Sequence, residues 1–175
     1  IGTYRVSADG SERLPDGRLI GLGLSHVLVY RCGDTLGNCA IHLVDRSTGE
    51  ARSGPIDDRA AIDRLGNGWW GGPMAGATVT TDGRSALVSL YNNRGVNEVG
   101  VLDTASGEIA EMSRVTPSSR LGSYNILSAS WSGDERFAFV VDQGAVTAYD
   151  RDSGELFAVS AQLPSVSVLT VRQQP

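Results

Sequence analysis

Residues 148–158 read AYDRDSGELFA, and the same phrase stands twice more, as LVDRSTGEARS at 43–53 and VLDTASGEIAE at 101–111. A looser version, YRVSADGSERL at 4–14, keeps the central Gly10 but has Val6 where the others carry Asp45, Asp103 and Asp150. The glycines Gly10, Gly49, Gly107 and Gly154 lie 39, 58 and 47 residues apart. An apolar strand end followed by Asp, a Ser/Thr-Gly pair and Glu is hairpin chemistry. The Gly reaches positive φ without steric cost, and the Asp or Ser bonds the local backbone. Self-similarity at a period of roughly 40–50 residues marks an array of small repeated sheets.

Alternation and turn residues cut each repeat into strands. The first repeat reads LIGLGL, HVLVYRC (26–32), AIHLVD (40–45) and EARSG (50–54). The second reads GATVTT (76–81), an Asp82-Gly83 turn, SALVSLY (85–91), EVGVLD (98–103) and EIAEM (108–112). The third reads LSASWS (127–132), a turn at Gly133-Asp134, RFAFVVD (136–142), AVTAYD (145–150) and ELFAVSA (155–161). Four antiparallel strands per unit is the content of a propeller blade. The predicted fold is all-β: a β-propeller or propeller segment with about three complete four-stranded blades plus a split or partial blade. The repeats span about 19–54, 76–113 and 127–161, and strands within 3–14 and 166–172 supply the partial blade. At about 43 residues per blade the chain holds about four blades. Either the two terminal fragments close a small ring, or these blades belong to a larger ring completed by a missing segment or another chain. The insertion 54–75 breaks the period, and its IDDRAAIDRLG predicts a short helical turn.

Hydrophobic residues make up 41% of the 175 residues, the globular norm, so the chain can bury a core. Net charge is −5 with no basic stripe, which disfavours nucleic acid. All 15 basic residues are Arg, so Schiff-base and Lys-general-base chemistry are unavailable. Cys32 and Cys39 flank a Gly- and Asn-containing loop between two apolar runs, a position from which a hairpin disulfide closes. The alternatives are a free pair or half a metal site, for which only His26 and His42 remain as further soft ligands. The disulfide reading implies an oxidising, extracytoplasmic compartment, either secreted, periplasmic or cell-surface. Because the chain starts at Ile1, a leader, membrane anchor or earlier domain is expected upstream.

In a four-stranded blade, alternate connections fall on opposite faces. The tight D-G and S-G turns share one face. The Cys loop, NNRGVN, Gln143-Gly144 and the inter-blade segments 54–75 and 113–126 share the other. That loop face is the expected binding surface. Its candidate ligand-binding residues are Trp69, Trp70, Tyr91, Asn92, Asn93, Arg94, Tyr124 and Asn125. Trp69 and Trp70 form either an aromatic platform for a sugar or protein partner, or a plug between blades. Trp131, mid-strand, reads as core. Asp150-Arg151-Asp152-Ser153-Gly154 looks like a calcium loop but lacks the downstream bidentate Glu, so turn chemistry explains it. Asp57, Asp58 and Asp63 have no placeable partner for acid–base work. There is no nucleophile elbow, phosphate loop or dinucleotide fingerprint. No catalytic residue, metal or cofactor is expected.

At LVDRSTGEAR, VLDTASGEIA and AYDRDSGELF, preceded by TTDGRSALVSL and SGDERFAFVV, the chain resembles bacterial extracytoplasmic β-propeller repeats of the YVTN, TolB-like and quinoprotein-like types. The resemblance covers roughly residues 20–160 and implies fold more than function. Quinoprotein repeats end in a Trp just after the G-E strand. Here those positions are Ala51-Arg52, Ile109-Ala110 and Leu156-Phe157, which argues against a quinone cofactor. The expected role is an extracytoplasmic binding module for a protein or cell-envelope glycan. The alternatives are a propeller-type lyase or hydrolase on an envelope polymer, and a structural or sensor domain of a membrane-anchored protein.

Overall fold

The computed structural model describes residues 4–7, 10–13, 17–32, 39–52, 78–91, 97–112, 128–142 and 145–159. The segments carrying Trp69, Trp70, Asn92, Asn93, Arg94, Tyr124 and Asn125, the insertion 54–75 and strand 166–172 lie outside the described residues.

The described residues are strands and turns without helix. A hairpin of β1 (Tyr4–Ser7) and β2 (Gly10–Arg13) precedes three antiparallel sheets. The first sheet is β3 (Arg18–Leu22), β4 (His26–Cys32) and β5 (Cys39–Asp45). The second is β6 (Ser85–Tyr91), β7 (Asn97–Asp103) and β8 (Ile109–Glu111). The third is β9 (Ser128–Trp131), β10 (Phe137–Asp142), β11 (Ala145–Asp150) and β12 (Leu156–Ala158), in sequential order.

Two expected strands show single bridges among the described residues. Ala51 bridges Val44, and Val79 bridges Ala86, so each restores a fourth strand position to its blade.

Period-2 alternation makes the core. In β6, Ala86 and Val88 turn to one side and join Ile20, Leu28, Ile41, Leu43, Val79 and Leu102 between the first two blades. Leu87 turns the other way and packs with Val101, Met112, Ala129, Trp131, Ala138 and Val140 between the second and third. The middle blade is therefore apolar on both faces, as a blade flanked by neighbours must be. Burying these side chains drives the assembly, at about 1.5–3 kcal/mol per fully buried aliphatic residue.

The inner strands lie side by side. Gly23 bridges Val79 in parallel orientation. Thr78 N donates to Leu22 O at 2.6 Å, and Leu22 N donates back to Thr78 Oγ1 at 2.9 Å. On the other side, Trp131 Nε1 donates to Thr78 O at 2.9 Å. Thr78, fully buried, thus links all three blades.

Candidate functional site

The repeated phrase builds one turn three times. Asp45 Oδ1 accepts from Ser47 N at 2.7 Å and Thr48 N at 3.0 Å. Asp103 Oδ1 accepts from Ala105 N at 2.8 Å and Ser106 N at 2.7 Å, and Asp150 Oδ1 accepts from Asp152 N at 3.0 Å. Gly49, Gly107 and Gly154 sit at φ 75°, 79° and 73° and each donates its N–H to the carbonyl of the Asp. The Asp150–Gly154 loop is therefore a turn held by its first carboxylate, and that carboxylate is also paired with Arg136 at 3.0 Å.

These turns are stitched to the D-G-type turns beside them. Arg46 N donates to Ser25 O, Thr104 N to Arg84 O and Arg151 N to Arg136 O, at 2.9, 3.0 and 2.9 Å. Two bridges cross from the third blade to the second. Arg151 donates to Asp82 Oδ2 at 2.6 Å and to Ser85 Oγ at 3.1 Å. The Glu135 carboxylate accepts from Thr81 N at 2.9 Å and from Thr81 Oγ1 at 2.7 Å. Glu135 is in the left-handed region at φ 58°, the position Gly83 fills in the blade before, at φ 68°. The turn falls at Gly133-Asp134 as expected, closed by Glu135 N donating to Ser132 O at 2.9 Å, and the left-handed residue after it is Glu135, at a cost of about 1–2 kcal/mol, which the bonds to Thr81 offset.

The chemistry of this turn face follows from those bonds. Bonds from the Ser47 hydroxyl and the Thr48 and Ser47 amides hold Asp45 at a pKa of about 2. Burial pushes Asp82 up, but the Arg151 guanidinium, the Arg84 amide and the Thr80 hydroxyl outweigh it and hold it at about 2. Asp103, Asp134 and Asp150 are lowered as well. Carboxylates so depressed stay ionised at neutral pH and make poor general acids or bases. Among the described residues no group of three His, Cys, Asp or Glu could hold a metal ion.

A folded pKa below the unfolded value of about 3.9 contributes stability above that value and loses it as pH falls toward about 2. His42 is also lowered, by burial and by Arg31, so its contribution is full above about 6.5 and declines below it. Urea midpoints are therefore expected to fall gently below pH 6.5 and steeply between about pH 4 and 2. Asp82→Asn should flatten part of the steep arm; an unchanged profile would show that the Arg151 bridge carries no linkage.

The opposite edge is where the sheets end their β-hairpins. The ladders close at Cys32↔Cys39, Tyr91↔Asn97 and Asp142↔Ala145. Tyr91 is the last residue of β6, placed at this edge. Cys32 and Cys39 stand directly opposite each other, and no described cysteine is a free thiol. Arg18 lies over the Tyr30 ring at 5.3 Å beside them, a pair the sequence reading did not single out. Its only signal was Arg at the start of one strand and Tyr near the end of the next.

No protein-family model matches the chain, and no curated protein matches it. Among solved structures it is similar to the tricorn protease, with 16% identity, 90% of this chain and 15% of that chain covered, and a TM-score of 0.55. It is also similar to the putative TolB from Agrobacterium tumefaciens, with 15% identity, 91% and 55% covered, and a TM-score of 0.50. Both are propeller proteins. The fold is that of a β-propeller or a segment of one. The chain spans only part of the length of each neighbour, and at these identities the likeness carries the fold alone. It leaves the choice among YVTN, TolB-like and quinoprotein-like repeats open.

Proposed function

We propose that this propeller chain is an extracytoplasmic binding module whose loop edge takes a protein or cell-envelope glycan partner. The observation that carries the reading is the contrast between the two edges. On the turn edge the Asp carboxylates are bound into their own turns and to Arg136 and Arg151, which makes that edge a frame. The hairpin ends at Cys32↔Cys39 and Tyr91↔Asn97 open on the other edge. Trp69, Trp70, Tyr91, Asn92, Asn93, Arg94, Tyr124 and Asn125 are the residues we assign to contact. The facing positions Cys32↔Cys39 support a disulfide at the first of these hairpins, and a disulfide is chemistry of oxidising compartments outside the cytoplasm.

The test uses purified insoluble cell-wall glycan in co-sedimentation, and envelope proteins retained on the immobilised chain. Trp69→Ala with Trp70→Ala is expected to cut capture at least about ten-fold, the scale of an aromatic hot spot, with thermal unfolding unchanged. Capture that survives the double variant, or no capture by the parent chain, overturns the reading.

A further inference from the structure

The outer strand of the third blade differs from its counterparts. The outer positions of the first blade end in the exposed Arg52, and β8 ends in the exposed Glu111, charges of the kind that protect a sheet edge from pairing. β12 carries none: it reads Leu156-Phe157-Ala158, followed by Val159. All of it is exposed, with Leu156 and Phe157 at 45% and Val159 at 40%. β12 is the edge of its sheet, and among the described residues no strand lies beyond it.

The free backbone groups of this edge can be assigned. Val159 N donates to Val146 O at 3.0 Å, and Asp150 N donates to Glu155 O at 2.9 Å. Bonded positions alternate along an antiparallel ladder. Residues 155, 157 and 159 therefore turn their amides to β11, whereas Leu156 and Ala158 turn theirs outward.

We propose that a second copy of this chain pairs with this edge, β12 against β12, antiparallel about a twofold axis through Phe157. The pairing is self-consistent. Leu156 lies opposite Ala158 of the second copy, and these are the residues with outward donors and acceptors, so they form the hydrogen-bonded pairs. Phe157 meets its own copy in a non-bonded pair, where side chains approach closest and aromatic pairs stabilise a sheet. Glu155 falls opposite Val159, so no like charges oppose one another. The contact continues the existing β9–β12 ladder into one sheet across two copies. Phe157 also keeps its edge-on packing against Phe137, at 6.1 Å between centroids. Two strands this short bury far less than the ~1,600 Å² of a standard interface, so the association is weak and concentration-dependent. This inference is independent of the loop-edge function.

Light scattering and sedimentation equilibrium over rising concentration test it on the whole chain. The parent is expected to shift from monomer toward dimer. Ala158→Pro removes an outward N–H that the blade itself does not use, so it should hold the mass at monomer with unchanged circular dichroism and melting temperature. Phe157→Lys should do the same and decides the matter if the proline variant does not fold. Leu24→Lys removes the most exposed large hydrophobic among the described residues, 59% exposed and outside this edge, and should leave dimerisation intact. A parent that stays monomeric to about 1 mM overturns the proposal. So does a dimer indifferent to Phe157→Lys, or one lost with Leu24→Lys.

Discussion

Trp131→Ala is expected to destabilise the chain by about 3–5 kcal/mol, the range for removing a large buried aromatic side chain. Whole domains hold only about 5–15 kcal/mol, so the variant should lose a large share of its stability. Two effects add. The indole is 4% exposed and fills the space between the second and third blades, against Leu87, Val101 and Met112. Its N–H also donates to Thr78 O, the residue that bonds Leu22 of the first blade through its own N–H. Trp131→Phe separates the two. It keeps most of the ring packing, and Thr78 O retains the bond from Leu87 N at 2.8 Å. The loss there should be about 1 kcal/mol from the missing indole bond, plus a small cavity term. Urea unfolding of both variants checks this, with the slope showing whether the blades still unfold together. Equal losses for the two variants would mean that the hydrogen bond, rather than the packing, holds the third blade to the second.

This pair of roles shows how far the sequence could be read. Trp131 was legible as core from its place in LSASWS, because alternation alone assigns a face. Its bond to Thr78 was not, because Thr78 stands 53 residues earlier and only the approach of two inner strands brings them together. The turns were legible for the same reason as the strands: the bonds that Asp45, Asp103 and Asp150 make within their own turns reach no more than four residues. The left-handed φ of Glu135 was not legible, because glycine is the ordinary bearer of positive φ. The left-handed position was given to Glu by a contact with Thr81, 54 residues away. Arg151 is similar: its own repeat gave no hint of the bridge to Asp82. The candidate binding residues came from face alternation between connections, an argument that selects an edge and leaves the partner to experiment.

Gly23→Ala is the second large effect, and a comparison with Gly49→Ala gives its cause. Gly49 sits at φ 75° in an open turn, where an added Cβ meets nothing within 4 Å. The cost there is conformational only, about 1–2 kcal/mol for a side chain in the left-handed region. At Gly23 the added Cβ would lie 2.5 Å from Val79 O and 3.0 Å from Val79 Cβ. The first is a backbone atom of the neighbouring blade, so no rotamer change relieves the contact. The strands must separate where Gly23 bridges Val79, and Thr78 N loses its short bond to Leu22 O as they do. Overpacking of this kind costs about 1–3 kcal/mol or more, and the broken inter-blade bond adds about 1 kcal/mol. Denaturant midpoints should therefore rank parent, then Gly49→Ala, then Gly23→Ala, with hydrogen exchange at Val79 and Thr80 faster in the last variant alone. The reverse ranking would mean that the first two blades can slide apart at little cost. The parallel contact of the inner strands would then be a neighbourly approach rather than the joint that fixes blade spacing.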